Sequence, residues 1–247
     1  MVLTALRGAL AFLTRLPVGT DERAWDAFRR RPYAFPLAGY GVGLLAGLPL
    51  LVPVPAPTAA ALYVAAVYLV TGVAHADGLA DLGDALAVHG GPDPRRAAMT
   101  DTAVGVGAVL AVGLGLLGLG LGALALARVP PPQVLGLAVA AEGGAKLSMA
   151  TLAGLGRPSH EGLGAQVLGA SPAGVALAVG VAAPAALFGW PTPAGLAAVT
   201  AGPVVAVALQ RWAGTNLGGV SGDVLGASNE LARVLALHAG VVAWTLS

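Results

Sequence analysis

Long apolar segments separated by short connections dominate the chain. A helix needs about 20 apolar residues to cross the hydrocarbon core of a bilayer. Seven segments approach that length, the last being the shortest: 36–53, 58–76, 104–127, 134–152, 173–190, 195–213 and 230–246. The pattern predicts an all-α fold, a polytopic membrane helix bundle of about seven spans that forms one domain over residues 1–247.

The first 17 residues predict a different kind of helix. Leucines recur at helical spacing from Leu3 to Leu13, whereas Arg7 and Arg15 interrupt the apolar run. An amphipathic helix lying in the membrane interface fits this pattern. A signal peptide is the alternative, but the apolar stretch between the two arginines has only seven residues and no small-x-small cleavage site follows it.

The connections alternate in character. Three are short and rich in proline: 53–57, 130–132 and 191–193. The others are longer and polar: 18–35, 77–103, 153–172 and 214–229. Seven alternating spans place all the polar connections on one side, and of the 13 Lys and Arg only Arg128 and Lys146 fall elsewhere. The positive-inside rule then makes that side cytoplasmic, so we expect a multi-pass protein of the cell (inner) membrane with its active site facing the cytoplasm.

Composition agrees with a membrane protein and narrows the chemistry. The chain is 57% hydrophobic and 10% charged, and its mean hydropathy is +0.81. It has no cysteine, which excludes disulfides and thiolate sites, and its four histidines lack the spacing of zinc ligands. The expected partners are the lipid bilayer and small-molecule substrates, with no nucleic acid; the oligomeric state stays open, a homo-oligomer included.

Three carboxylates stand close together just after the second apolar segment. Asp77, Asp81 and Asp84 are spaced i, i+4 and i+7, so in a helix they share one face within an arc of roughly 60°. No Lys or Arg lies in this segment, and like charges raise one another's pKa unless a cation intervenes. A Mg²⁺ ion bound to a diphosphate suits such a group, and a solvated acidic helix end is the alternative. His75 precedes them as a general base, a diphosphate contact or a packing histidine.

The other polar connections supply further candidate residues. Glycine-rich 218–230 carries Gly219, Ser221 and Gly222, which free backbone N–H groups to approach an anion, and Asp223 as a further metal ligand. The alternative is a glycine-rich turn with a capping aspartate. Asp101 lies at the mouth of the 104–127 span, where it serves as a substrate contact, a metal ligand or a helix N-cap.

The third polar connection adds Arg157 as a phosphate contact and Glu161 as a further substrate contact. All acidic residues except Glu142, Glu230 included, are expected on the cytoplasmic side. Glu142 and Lys146 lie i, i+4 inside a span, which favours a structural ion pair over a catalytic role.

These motifs together resemble the cobalamin synthase family, the adenosylcobinamide-GDP ribazoletransferases. Six blocks stand in the family's order: Phe12–Val18, Phe35–Gly39, Thr71–Asp84, Met99–Asp101, Glu161–Gly164 and Gly218–Ala227. Two positions depart from the usual pattern. Ala103 stands where the family commonly has Arg, so Arg95, Arg96 or Arg157 is the candidate substitute for a phosphate contact there, and Ser221 stands where Thr is commoner, which keeps the hydroxyl.

The resemblance implies a reaction. The family joins adenosylcobinamide-GDP to α-ribazole or its 5′-phosphate and releases GMP. We expect Mg²⁺ held by Asp77, Asp81, Asp84 and by Asp101 or Asp223, with a free carboxylate or His75 taking the proton. The alternatives are another membrane diphosphate transferase, of the CDP-alcohol phosphotransferase or prenyltransferase type, and a transporter that uses Glu142 and Lys146 as a midplane relay.

Overall fold

A computed structural model describes residues 1–19 and 21–247, and within them the regular structure is helical. Thr20, in the predicted 18–35 segment, lies outside the described residues. The helices are α1 Val2–Leu13, α2 Glu22–Arg29, α3 Ala34–Gly47, α4 Ala56–Thr71, α5 Ala74–Ala87, α6 Pro92–Thr100, α7 Val106–Leu126, α8 Gln133–Leu155, α9 Leu163–Val167, α10 Pro172–Ala182, α11 Ala194–Asn216 and α12 Gly222–Thr245. Short 3₁₀ segments, Leu48–Leu51 and Ala183–Leu187, extend α3 and α10. The all-α prediction is confirmed.

Helix α8 is the centre of the bundle. Every residue from Leu137 to Ala153 is buried, and α3, α10, α11 and α12 pack around it. Glycines permit the closest approaches: a Cβ on Gly144 would lie 2.6 Å from the carbonyl oxygen of Ala198 in α11, and one on Gly39 in α3 would lie 2.7 Å from that of Glu142. Because α8 contacts protein on all sides, small and polar residues replace the large apolar ones that a lipid-facing helix carries.

The prediction of seven spans is confirmed only in part. Each predicted segment coincides with a helix, but in the described part of the chain only three stretches are long and apolar enough to cross a membrane: Ala34–Leu51, Val106–Leu126 and Ala194–Asn216. Helices α4 and α5 count as a fourth only if the pair forms one bent span. The remaining helices fall short because α10 has 11 residues, while α8 and α12 carry charged residues in their interiors.

The last helix is longer than predicted. We predicted a span over 230–246, whereas α12 runs from Gly222 to Thr245. Its first two turns come from the glycine-rich connection, where the Ser221 side chain caps the helix by accepting from the Val224 N–H. The second half of the polar connection 214–229 is therefore the beginning of a helix.

The N-terminal segment forms the predicted helix and docks on the bundle. Helix α1 buries Ala5, Ala9 and Leu13 and packs against α2 and α3, while Leu3 is exposed. Arg7 pairs with Asp21 at 2.5 Å. Asp21 caps α2, so the predicted polar segment 18–35 contains a helix of its own.

A sharp bend sets the position of the acidic helix. Helix α4 ends at Gly72, whose φ of +72° is a conformation that glycine adopts without strain. Helix α5 then turns by 97° from the direction of α4. It packs across α12 and α7, so the acidic motif lies between the first turns of those two helices.

Candidate active site

Asp77, Asp81 and Asp84 lie on α5, and the helix predicted for them is confirmed. Their environments differ: Asp77 is exposed, whereas Asp81 and Asp84 are half-buried. The three carboxylates are therefore chemically distinct despite their regular spacing.

Asp84 caps the helix that follows it. Its two carboxylate oxygens accept from the Gly105 N–H at 2.9 Å and the Ala108 N–H at 2.8 Å, both in the first turn of α7. A carboxylate in this position satisfies unpaired amides and interacts favourably with the positive end of the helix dipole. The cap fixes the orientation of Asp84, and whether this side chain also binds a metal stays a prediction.

Asp101 does not cap α7, one of the roles considered for it. Helix α7 begins after Gly105, and the exposed Asp101 carboxylate instead accepts from the Ala103 N–H at 3.0 Å within its own turn. Asp101 lines a surface hollow with Asp84 and Ala103. Asp84 caps α7 instead, because the bend after α4 brings α5 against the start of α7.

Asp81 has the most perturbed carboxyl group on α5. The pKa of Asp81 is raised to about 6, first by burial and then by the negative charges of Asp223, Asp77 and Asp84. The charge of Asp223 raises the pKa of Asp81 more than the charges of Asp77 and Asp84 do. The acidic motif and the glycine-rich motif therefore meet around Asp81. A carboxyl group with this pKa suits proton transfer or cation binding near neutral pH.

Two glycines allow α5 and α12 to cross closely, at a contact that we call the junction of these helices. A Cβ on Gly78 would lie 2.5 Å from the carbonyl oxygen of Asp223, and a Cβ on Gly226 would lie 3.1 Å from the Cα of His75. Helices α5 and α12 therefore cross in backbone contact. The glycines within both motifs are required by this crossing.

The third polar connection closes onto the first turn of α12. Pro158 and Val220 form a parallel bridge, in which the Val220 N–H donates to the Arg157 carbonyl at 2.7 Å and the Ser159 N–H donates to the Val220 carbonyl at 3.1 Å. Gly219 has a φ of +159° and passes directly over Arg157. Gly164 contacts Gly222: a Cβ on Gly164 would lie 2.5 Å from the amide nitrogen of Gly222. The predicted convergence of these two connections is thus present.

A small cleft lies between α6, the 157–164 connection and the first turn of α12. Its lining residues are Arg96, Met99, Thr100, Ser159, His160, Leu217, Ser221 and Asp223. Arg96 is held by the Leu217 carbonyl at 2.8 Å and pairs with Asp93. The cleft brings a cation, a hydroxyl and a carboxylate together. Arg96, which we had considered only as a substitute for the missing Arg at position 103, lines it, whereas Arg157 and Glu161 are exposed outside it.

The donor set fits a magnesium ion with few protein ligands. In the described residues, no three or more His, Asp or Glu side chains are arranged to hold a metal. Magnesium, however, commonly takes one or two carboxylates together with substrate phosphates. Asp81, Asp223 and Asp77 supply hard oxygen donors whose mutual repulsion a cation would relieve.

Two charged residues of α12, Glu230 and Arg233, are buried between helices. Their expected position on the cytoplasmic side stays a prediction. Arg233 pairs with Glu142 and Glu230, and Lys146 pairs with Glu142 at 3.3 Å. Glu230 and Arg233 share one face of α12 at i, i+3. Their burial depends on packing against other helices, which the sequence of α12 alone does not show. The structural ion pair predicted for Glu142 and Lys146 is confirmed as part of a larger network.

Asn229 is a residue that sequence reasoning missed. Its side-chain nitrogen lies 3.1 Å from Nδ1 of the half-buried His75 and 3.0 Å from Oε1 of Glu230. Its side-chain oxygen accepts from Nζ of Lys146 at 2.6 Å. The signal available in the sequence was an amide directly before Glu230 at the start of a predicted span.

The chain resembles known proteins along nearly its whole length. The sequence matches the family model described as cobalamin-5-phosphate synthase over residues 5–241. An adenosylcobinamide-GDP ribazoletransferase of Halorubrum lacusprofundi is 55% identical over 255 aligned residues, covering 99% of each chain. Proteins of the same name from Haloquadratum walsbyi and Methanocella arvoryzae are 45% and 37% identical, covering 100% and 98% of this chain and 100% and 97% of their own. No solved structure matches.

Proposed function

The chain belongs to the cobalamin-5-phosphate synthase family, and from this premise we propose that it is an enzyme that transfers cobinamide phosphate from adenosylcobinamide-GDP to α-ribazole or its 5′-phosphate. A ribose hydroxyl of the ribazole attacks one phosphorus of the diphosphate. The bond from that phosphorus to the bridging oxygen breaks, and GMP leaves. The reaction belongs to the assembly of the cobalamin nucleotide loop.

The junction of α5 with α12 is the observation that carries the proposal. It places Asp77 and Asp81 beside Asp223, next to the cleft that holds Arg96 and Ser221. A carboxylate group facing a guanidinium and a glycine-rich helix start suits a diphosphate, because the cation and the amides attract its oxygens. Two of the carboxylates of Asp77, Asp81 and Asp223 would hold Mg²⁺ together with the substrate phosphates, and the ion would neutralise the charge of the diphosphate.

The residues of the chain divide the remaining work. Arg96 and the first turn of α12 bind and orient the phosphates. Asp81, whose pKa is raised to about 6, takes the proton of the attacking hydroxyl when it is not engaged by the cation. The α7 cap made by Asp84 holds α5 at the angle that keeps Asp81 near Asp223.

The membrane arrangement is also part of the proposal. Helices α3, α4, α7, α8, α10, α11 and α12 cross the bilayer as seven spans, and α5 lies along its cytoplasmic surface. The proline-rich turns then face outward, and the site faces the cytoplasm of the cell membrane. The alternation of proline-rich and polar connections and the distribution of Lys and Arg support this orientation.

One assay tests the function. Purified protein in detergent is given adenosylcobinamide-GDP, α-ribazole and Mg²⁺, and the released nucleotide is measured. We expect GMP and a cobalamin product in equal amounts. Release of CMP from a CDP-alcohol or of pyrophosphate from a prenyl diphosphate, with no GMP, would contradict the proposal.

A further inference from the structure

Asn229 links the buried ion network of the bundle to His75 on α5. Lys146 donates to its side-chain oxygen at 2.6 Å. Its side-chain nitrogen is 3.0 Å from a carboxylate oxygen of Glu230 and 3.1 Å from Nδ1 of His75. Asn229 and Lys146 are both fully buried. The link therefore runs from α8 through α12 to α5.

The partners of Asn229 fix which way its amide faces. An ammonium group can only donate, so the atom facing Lys146 must be the oxygen. A carboxylate such as that of Glu230 accepts, so the atom facing it must be the nitrogen. The two partners agree, and the orientation follows from chemistry at both ends of the amide.

This orientation assigns the proton of His75. One N–H of Asn229 is directed to Glu230, and the other reaches Nδ1 of His75. That ring nitrogen must accept, because two N–H groups cannot bond to each other. The ring proton is therefore on Nε2. An imidazole whose one nitrogen is fixed by such a bond presents the other as a defined donor.

Nε2 of His75 makes no hydrogen bond within the described residues. In the part of the chain that the structure describes, Tyr63 Oη is the one buried side-chain nitrogen or oxygen without a hydrogen-bond partner. His75 is half-buried, and Nδ1 to Asn229 is the bond that its ring makes within the described residues. The Nε2–H thus has no partner within the described residues, and His75 lies one turn before Gly78, where α5 crosses the first turns of α12.

We propose that Lys146 and Asn229 are positioning residues that hold His75 as an Nε2–H donor to a phosphate oxygen of the substrate. This assignment removes His75 from the candidates for general base and leaves that role to a carboxylate. It rests on the proposed function for the identity of the phosphate. The tautomer itself does not depend on the reaction.

The first test is spectroscopic and needs no turnover. Protein labelled with ¹⁵N-histidine in detergent gives two-bond ¹H–¹⁵N correlations for four histidines, and His75→Gln identifies the resonance of interest; if that variant does not fold, His89→Gln, His160→Gln and His238→Gln identify it by elimination. We expect an unprotonated Nδ1 and a protonated Nε2. A protonated Nδ1 would overturn the proposal.

Two substitutions in the link from Lys146 through Asn229 to His75, which we call the relay, sharpen this test. Asn229→Asp replaces the donor by an acceptor, so we expect the proton of His75 to move to Nδ1. Lys146→Met removes the donor that faces the Asn229 oxygen and leaves only Glu230 to orient the amide, so we expect a minor population of the second tautomer. If neither change alters the His75 resonances while both variants stay monodisperse, Asn229 does not position the ring.

Turnover separates a donor from a base. The side-chain N–H of His75→Gln reaches the place of Nε2–H, whereas the shorter His75→Asn cannot reach it. Loss of one donor to a developing or resident negative charge costs on the order of 10²-fold in rate. We expect His75→Gln to retain activity within about tenfold of the wild type and His75→Asn and His75→Ala to lose about a hundredfold.

The outcomes distinguish the two proposals. Equal loss in all three folded variants makes His75 a proton acceptor and overturns the donor role. If the wild type releases no GMP, the proposed function fails, and the spectroscopic result still decides the relay from Lys146 to His75.

Discussion

Gly78 of α5 packs on the backbone of Asp223 in α12 so closely that a Cβ at position 78 would lie 2.5 Å from the Asp223 carbonyl oxygen. No real Cβ contact is that short, and the neighbouring atom is backbone that cannot rotate away. The acidic motif and the glycine-rich motif are therefore one structural unit. Their relative position depends on the absence of a single methyl group.

Gly78→Ala should separate these helices. The added methyl group forces a backbone shift that costs about 1–3 kcal/mol of stability and moves Asp81 away from Asp223. We expect GMP release to fall by more than tenfold and the thermal unfolding temperature in detergent to drop.

Gly113→Ala is the matched control, since a Cβ there meets nothing within 4 Å. Alanine is the better helix former, so stability should be equal or slightly higher. Wild-type activity in Gly78→Ala would show that the crossing does not set the site geometry.

Asp84→Ala should destabilise the protein through the loss of a helix cap. Two amides of the first turn of α7 lose their acceptor, and removal of such a cap costs about 0.5–2 kcal/mol. Asp84→Asn keeps one acceptor oxygen and should cost less. Asp26→Ala removes a half-exposed pair with Arg29 and should change stability by no more than about 0.5 kcal/mol. Unfolding in denaturant ranks the three, and equal effects of the two alanine variants would contradict the capping role.

Asp81→Asn should abolish GMP release without lowering the stability of the metal-free protein. The pKa of Asp81 is raised from 3.8 to about 6, so its ionised form is disfavoured in the folded state. Ionisation therefore costs stability as the pH rises from the ordinary value through the raised one. In EDTA at pH 8 we expect the variant to unfold at or above the wild-type temperature, and at pH 4 the difference should vanish.

Magnesium supplies the second half of that experiment. An ion held by Asp81 should raise the unfolding temperature of the wild type and leave Asp81→Asn unchanged. An equal shift in both proteins would place the ion elsewhere.

The sequence predicted the helices and the convergence of the polar connections because both follow from local patterns. The spacing of Asp77, Asp81 and Asp84 specified a shared helix face, and α5 has it. It did not specify that Asp84 would bond to α7, because that contact depends on the 97° bend after α4. The sequence likewise did not specify that Arg233, expected at a helix end facing the cytoplasm, is buried, because its burial depends on packing against Glu142.

Single cysteines test the orientation in the membrane. The chain has no cysteine, so a membrane-impermeant maleimide reports each introduced thiol without background. Asp93→Cys, on the exposed surface of α6, should react only after the cells are opened. Arg128→Cys, on the turn between α7 and α8, should react in intact cells. Reversed labelling would contradict the cytoplasmic site, and labelling of both from one side would contradict an odd number of spans between them.

The buried ions of α8 and α12 should behave as a unit. Arg233 is fully buried and contacts both Glu142 and Glu230, while Lys146 contacts Glu142. The four charges balance, so removal of one leaves an unpaired buried charge. Arg233→Met should cost about 3–5 kcal/mol, the typical penalty for breaking such a pair from one side.

Adding Glu142→Gln to Arg233→Met should restore part of that loss. The double variant retains one positive and one negative charge, Lys146 and Glu230, and the glutamine keeps an oxygen that accepts from Lys146. We therefore expect the double variant to be more stable than Arg233→Met alone, which a double-mutant cycle in denaturant measures directly. Simple additivity of the two single effects would mean that the charges do not interact, and the network would then be a set of independent contacts.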